Sequence, residues 1–475
     1  MFDGFIRDNA AWTPRAPAVI LPGRRYSYAA FDADIDRLGS ALAERGLGPV
    51  CGVVAVAIAS PYLQLLTMAA LARLGICGAP GADPGADLRL TDSDGLGEGP
   101  PVLRLTPDEV TAILAAEPRF DLPQLELDPD ALGHVMLSSG TTRSPRRVGL
   151  TWRRLEAGNH ANLRSYAAGK AGTWAPVTGV DSMLGFSMSV AAWSVGGAVA
   201  WGFRIRDIPA LMEQVEPGII GLTPRQLREL LTVLPDGFLA RPEWRICAAG
   251  ALLPAPLAHE ARLRLTPDVR IIYGSTEASL LAVGHAADLE EHPGLVGRTP
   301  AGAILEVVDD DGRPLPDGET GEFRITSERM SQGYLDDPEA SAERFRDGWF
   351  HTRDLGRRLP DGRLILEGRV DDRLNLGGLK LMPQVVEQAA YAAGGVADCA
   401  AFAAPGTDGV EQCWLAVVAA PGGERDRLAA LLAARADLPP VHLAWIDTIP
   451  RNAMGKVERG LLRGQLLAAL LGGDP

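Results

Sequence analysis

Cysteine and histidine are scarce in this chain. The five cysteines (Cys51, Cys77, Cys247, Cys399 and Cys413) are odd in number and form no CxxC pair, and the seven histidines form no HxH or HxxxH cluster. That pattern speaks against a disulfide framework and a structural zinc site. It suits reduced thiols in a cytoplasmic enzyme. Positive charge is also in deficit: 46 Lys and Arg stand against 60 Asp and Glu, a net charge of −14. A broad basic footprint for nucleic acid is not supported, and the acidity reads as a solubility feature. The start, Met1 to Arg7, has no basic region followed by a long apolar stretch, so no signal peptide is expected. One run, Ser182 to Phe203, carries no charge and is long enough to span a bilayer. It is rich in Ser, Gly and Ala and lacks a flanking Lys/Arg cluster, so a buried helix beside a pocket is expected rather than a membrane span. No internal repeat is evident.

What remains is a soluble globular chain, 47% hydrophobic and 475 residues long. That is too long for one ordinary core and predicts two or more domains. Phe31, Ile35, Leu38 and Leu42 recur at helical spacing within 27–47, ahead of Gly46 and Gly48. Gly52 to Ile58 is an apolar run suited to a strand buried on both faces, and 62–74 reads as helix. Such alternation implies parallel strands with covering helices, an α/β fold. Residues 79–101, rich in Gly, Pro and Asp, read as loop. Strands are expected at 217–222, 245–249 and 269–272. From about 295 to 368 short strand-like runs are split by Asp311-Gly312, Asp317-Gly318 and Asp361-Gly362, which mark tight turns of antiparallel structure. The rest reads as a small α+β unit: helices at 383–393, 424–435 and the end, strands at 398–403, 413–418 and 441–446.

Function is most legible in Ser138-Ser139-Gly140-Thr141-Thr142-Arg143-Ser144-Pro145-Arg146-Arg147, which follows the apolar run Val135–Leu137. Small hydroxyls, a glycine and cations after a strand are built to hold phosphate oxygens, through hydroxyl and backbone donors and charge-assisted bonds. The spacing is not that of the GxxxxGK[ST] loop. A second segment, Tyr273-Gly274-Ser275-Thr276-Glu277, directly follows a predicted strand, where ligands bind in open α/β sheets.

With His351-Thr352-Arg353-Asp354, Gly368-Arg369-Val370-Asp371-Asp372-Arg373 and Pro450-Arg451-Asn452-Ala453-Met454-Gly455-Lys456, these segments stand in the order of one family's motifs. Over nearly the whole chain the sequence resembles the adenylate-forming superfamily: acyl- and aryl-CoA synthetases, nonribosomal-peptide adenylation domains and luciferases. The resemblance implies a large N-terminal domain, 1–370, of stacked mixed sheets with covering helices and a β-rich subdomain. It also implies a small mobile α+β domain, 371–475, hinged at Asp371. It implies ATP and Mg²⁺, a small carboxylic acid, and CoA or a carrier-protein phosphopantetheine as acceptor. A non-thiol acceptor, or a binding protein that kept the fold, stays open.

Under that resemblance the first loop, from Ser138 through Thr142 with Arg146, holds phosphate, and Thr276 donates to the α-phosphate. Glu277 is the metal ligand, since Mg²⁺ is commonly bound by one or two carboxylates plus phosphate oxygens. Tyr273 and the Gly250-Ala251 pair border the adenine, Gly274 and Ser275 belong to the same nucleotide loop, and Asp354 takes the ribose hydroxyls. Arg369 reaches ribose or phosphate. Lys456 serves adenylation, while Gly377, Gly378 and Lys380 serve the thioester step. The family's phosphate loop carries glycine where this chain has Arg143 and Arg147, and lysine where it has Arg146. That makes the loop stiffer and bulkier.

The acid pocket maps to Phe186, Ser187, Met188, Gly221, Cys247, Ala249, Ile272, Leu280 and Leu281. Amino-acid-activating members place an aspartate after the phenylalanine. Here Ser187 follows Phe186, and no carboxylate lies between Asp181 and Asp207. An α-ammonium would lack its ion pair, a large loss in a buried site. The acid is therefore expected to lack an α-amine and to be aryl or medium-chain aliphatic.

Overall fold

The computed structural model describes residues 2–93, 99–119, 122, 125–138, 145–376, 379–405, 410–420, 422–452 and 456–471. Two large sheets form the first part of the chain. In one, the strands Val102–Arg104, Leu88–Thr91, Val53–Ala57, Cys77–Pro80, Leu132–Leu137 and Arg147–Thr151 lie side by side, parallel except for the last pair. The β-branched run Val53–Ala57 sits near its centre because both its faces can be covered by apolar side chains. The residues expected to form a loop at 79–101 contain one of these strands, Leu88–Thr91. Its short apolar core is hidden in the sequence by the Gly/Pro/Asp residues around it.

The second sheet has eight strands, running from Ser279–His285 through Val269–Ser275, Arg245–Ala249 and Ile219–Leu222 to the N-terminal hairpin Pro17–Leu21 and Arg24–Ser27. Helix Tyr28–Glu44 is capped by Ser27, whose side chain accepts from the Ala30 N–H. It buries Phe31, Ile35, Leu38 and Leu42 completely or nearly so, each contributing about 1.5–3 kcal/mol. The charge-free run at 182–203 folds as helix Met183–Ser194, a turn and strand Ala198–Ala200. Among the described residues no helix is long and apolar enough to cross a membrane.

An antiparallel sheet follows, ordered Leu295–Gly297, Leu364–Arg369, Trp349–Arg358, Gly321–Ser327, Ala303–Val308. Its Asp-Gly turns place Gly312, Gly318 and Gly362 at φ of 78°, 92° and 84°, where only glycine is unstrained. The final segment carries strands Val396–Pro405, Glu411–Ala419 and Val441–Trp445 in one sheet, with helices Pro383–Ala393, Arg425–Ala433 and Arg459–Leu471. Its apolar clusters, such as Val386, Leu415, Val417 and Leu428, are drawn from this segment alone. All five cysteines are free thiols.

Candidate active site

A cleft of about 810 Å³ collects residues from widely separated segments between Leu137 and Arg459. The strand Leu132–Leu137 turns back antiparallel into Arg147–Thr151. The turn is closed at its base: the Ser138 N–H donates to the Arg146 carbonyl at 2.8 Å, and the Arg146 N–H donates to Ser138 Oγ at 3.1 Å. Ser138 and Arg146 line the cleft. Ser139, Gly140, Thr141, Thr142 and Arg143 lie outside the described residues.

The second segment does not simply follow a strand. It begins inside one, because Val269–Ser275 runs on through Tyr273 and Gly274 and pairs with Ser279–His285 across a tight turn. A Cβ on Gly274 would lie 2.5 Å from the Ser279 carbonyl oxygen, so the turn requires glycine. The turn is stapled by the Ala278 N–H, which donates to Ser275 Oγ at 3.1 Å. Thr276 and Glu277 thereby face the cleft. Glu277 is buried, and its Oε1 accepts from the Tyr334 hydroxyl at 2.9 Å. The Arg146 guanidinium lies 5.1 Å from the centre of the Tyr334 ring and donates from Nε to Asp337 at 2.9 Å. Among the described residues no group of three or more His, Cys, Asp or Glu could hold a metal ion. A divalent ion at Glu277 would take its other ligands from phosphate and water, which is the set Mg²⁺ accepts.

Asp354 comes from the long strand Trp349–Arg358, which the sequence pattern did not reveal. Its Oδ2 accepts from the Tyr273 hydroxyl at 2.5 Å, and Arg369 Nε lies 3.5 Å from its Oδ1. Burial pushes the Asp354 carboxyl up, against the pull of Arg369 and the Tyr273 bond. Arg353, just before it, adopts φ of 62°. Its N–H donates to Glu322 and its guanidinium to Asp371 at 2.7 Å. Arg344, which sequence reasoning missed, is buried at the cleft and donates to the carbonyls of His351 and Thr352 at 2.6 and 2.9 Å. Only this burial distinguishes it from a surface arginine.

Lys456 reaches the same cleft from the far end of the sequence. Its backbone N–H donates to Asn452 Oδ1 at 3.0 Å. Burial and then the charge of Arg369 hold the Lys456 ammonium below its ordinary range, while Asp354 and Glu277 pull the other way. Gly250, Ala251, Tyr273, Arg369 and Asp371 also line the cleft. Lys380 is exposed and lies outside it. Gly377 and Gly378 lie outside the described residues.

The nine residues expected around the acid divide in two. Ser187, Ala249, Ile272 and Leu280 line the cleft. Phe186, Met188, Gly221, Cys247 and Leu281 do not. Phe186 turns into the core and stacks on His134 at 4.3 Å between ring centres. Met188 fills the space beside Gly221, where a Cβ would lie 2.1 Å from its sulfur. Cys247 is wholly buried, which pushes its thiol up to about 12. Leu281 packs instead with Tyr273 and Phe323, because neighbouring strand residues face opposite ways. Asp181, set aside in the sequence argument, does reach the lining, held by Gln64 Nε2 at 3.1 Å.

Two arginines that follow Arg146 are paired with carboxylates. Arg147 pairs with Asp83 at 2.8 Å and Asp336 at 2.9 Å, and Arg153 grips Asp130 through two 2.9 Å bonds.

Residues 87–335, more than half of the chain, match the family described as AMP-binding enzyme. The chain belongs to that family. As an AMP-binding enzyme it is 28% identical to the indoleacetate–CoA ligase of Aromatoleum aromaticum, over 98% of either chain. Its fold is shared with the o-succinylbenzoate coenzyme A synthetase of Bacillus subtilis in complex with AMP, with a TM-score of 0.83, 20% identity and coverage of 97% and 98%. It is likewise shared with the amide bond synthetase McbA of Marinactinospora thermotolerans, at TM-score 0.83, 22% identity and coverage of 98% and 100%.

Proposed function

We propose that this AMP-binding enzyme is an ATP-dependent acid–thiol ligase. It joins a carboxylic acid without an α-amine, aryl or medium-chain aliphatic, to CoA or to a carrier-protein phosphopantetheine. The observation that carries the reading is the meeting of Glu277, Asp354 and Lys456, from three distant segments, on one cleft. In the first step a carboxylate oxygen attacks the α-phosphorus of ATP. The bond to the bridging oxygen breaks and pyrophosphate leaves, giving an acyl-adenylate. In the second step a thiolate attacks the acyl carbon and AMP leaves.

Each residue has a part that its chemistry allows. The Lys456 ammonium sits where it can neutralise the acid and the α-phosphate together. Asp354 offers carboxylate oxygens to the ribose hydroxyls. Ser138, Arg146, Thr276 and the loop between 139 and 142 hold phosphate oxygens. Mg²⁺ held by Glu277 would neutralise charge on the phosphates. Asp371 is the hinge between an N-terminal domain, 1–370, and a C-terminal domain, 371–475. Turning about it withdraws Lys456 and brings Gly377, Gly378 and Lys380 to the cleft for the thiol.

Asp181 supports a second reading, an α-amino acid whose ammonium it would meet. Burial raises the Asp181 carboxyl above its ordinary range, against the bond from Gln64. Incubation with ATP, Mg²⁺, a panel of carboxylic acids and either CoA or phosphopantetheinylated carrier tests both. The expected products are AMP and an acyl thioester from acids without an α-amine. Thioesters from α-amino acids alone would favour Asp181, and AMP without thioester would point to a different acceptor.

A further inference from the structure

A second cavity, of about 20 Å³, opens beside the cleft and shares Asn162, Met183, Ser187 and Ser279 with it. Helix Trp152–Arg164 presents Arg154, Asn159 and Asn162 to this space, and Arg329 closes it from the other side. The lining is unusual for the end of an acyl pocket. Arg329 is 4% exposed, and among the described residues it makes no close ion pair, although the charge of Glu328 next to it acts on it. Its guanidinium is held only by the carbonyls of Ala301 at 3.4 Å and Leu280 at 3.3 Å, and its Nε has no partner. Arg154 is half-buried and feels the charge of Asp130, whose carboxylate Arg153 grips through two bonds. Asn162 Nδ2 and Asn159 Oδ1 are buried without partners. Buried polar groups are normally satisfied, and a buried cation without a counter-ion is costly. One fully buried cation, one half-buried cation and an unpartnered amide donor line this small space beside Leu150, Leu155, Phe186 and Val190, and together they make a site for negative oxygen.

We infer that the acid this enzyme activates carries a second oxyanion, such as a carboxylate, at the end remote from the reacting carboxylate. Arg154, Arg329 and Asn162 are its specificity-determining residues. The inference rests on the acid-activating reading above. The cavity holds about one water-sized group. It therefore admits a terminal oxygen of the tail, with the tail's apolar body left in the cleft between Ser187, Ile272 and Leu280.

Acid-dependent pyrophosphate exchange with matched pairs tests it: octanoate against suberate, and 3-phenylpropanoate against 3-(4-carboxyphenyl)propanoate. One charge-assisted contact makes the doubly charged acid better in kcat/KM by about tenfold or more. Arg154 is partly exposed, so Arg154→Gln leaves the fold intact, and it lowers the ratio between the paired acids about tenfold. The loss falls in KM more than in kcat. Equal exchange of both members of each pair by the unaltered enzyme overturns the inference alone, as does an unchanged ratio in Arg154→Gln. Those results would mean the cavity is filled by water. Exchange with no acid at all overturns the acid-activating reading and this inference with it.

Discussion

The Tyr273 hydroxyl donates to Asp354 Oδ2 at 2.5 Å, joining residues 81 apart in sequence at the floor of the cleft. The bond fixes the carboxylate while Arg369 stands at its other oxygen. Ribose hydroxyls would meet a carboxylate already oriented. Asp354→Asn keeps the size but loses the charge, and a hydrogen bond to a charged group is worth about 1.5–3 kcal/mol. The KM for ATP should rise between roughly ten- and a hundredfold. Tyr273→Phe removes only the orienting bond and should cost less. A titration of ATP with both variants checks the order, and equal effects would show that Tyr273 does more than position Asp354.

The pH profile should be narrowed from both sides. Asp354 must be ionised to accept hydrogen bonds, and burial raises it above 3.8, so activity falls as pH drops through that raised value. Lys456 must be protonated, and burial lowers it from 10.5, so activity falls as pH rises through a value below that. Measuring kcat/KM for ATP against pH gives both limbs. Lys456→Arg should move the alkaline limb upward, and a limb that stays put belongs to another group.

Arg147 makes its contribution to stability rather than to phosphate binding. Its Nε lies 2.8 Å from Asp83 as an ion pair rather than an aligned hydrogen bond, and the Asp83 side chain is 0% exposed. Arg147→Ala would leave that carboxylate buried and uncompensated, at a cost of about 3–5 kcal/mol. Urea unfolding should show this loss, and the double variant Arg147→Ala/Asp83→Ala should recover part of it.

A polar contact joins the C-terminal segment to the cleft's rim. Asp398 receives Arg451 at 2.8 Å and the Tyr391 hydroxyl at 2.9 Å, and Arg228 of helix Pro224–Thr232 lies 3.5 Å away. In the two-arrangement scheme proposed above, with Lys456 in the cleft for adenylation, this pair would favour the adenylating arrangement. Arg228→Ala should slow pyrophosphate exchange by up to about fivefold, the worth of a partly exposed ion pair. Thioester formation from supplied acyl-adenylate should change less.

The sequence pattern made some of this legible and hid the rest for physical reasons. Helix Pro383–Ala393 and strand Arg245–Ala249 were readable from local periodicity and fall where expected. The strand bearing Asp354 was not, because His351-Thr352-Arg353-Asp354 lacks the apolar alternation by which strands are recognised. Of the residues expected around the acid, those that line the cleft were only partly legible. A bulge at Tyr273 and Gly274 shifts the pairing with the next strand, so which of Leu280 and Leu281 faces the cleft could not be read from spacing. The fate of Arg147 depends on Asp83 and Asp336, contacts that only folding creates.

Acid-dependent exchange of labelled pyrophosphate into ATP, compared between the unaltered enzyme and Lys456→Ala, tests the central claim most directly. A unit-charge contact near 4 Å is worth about 4 kcal/mol at an effective dielectric near 20. Loss of the ammonium should therefore slow exchange on the order of a thousandfold, while thioester formation from supplied acyl-adenylate persists. Exchange that survives in Lys456→Ala, or is absent from the unaltered enzyme with every acid, would contradict it.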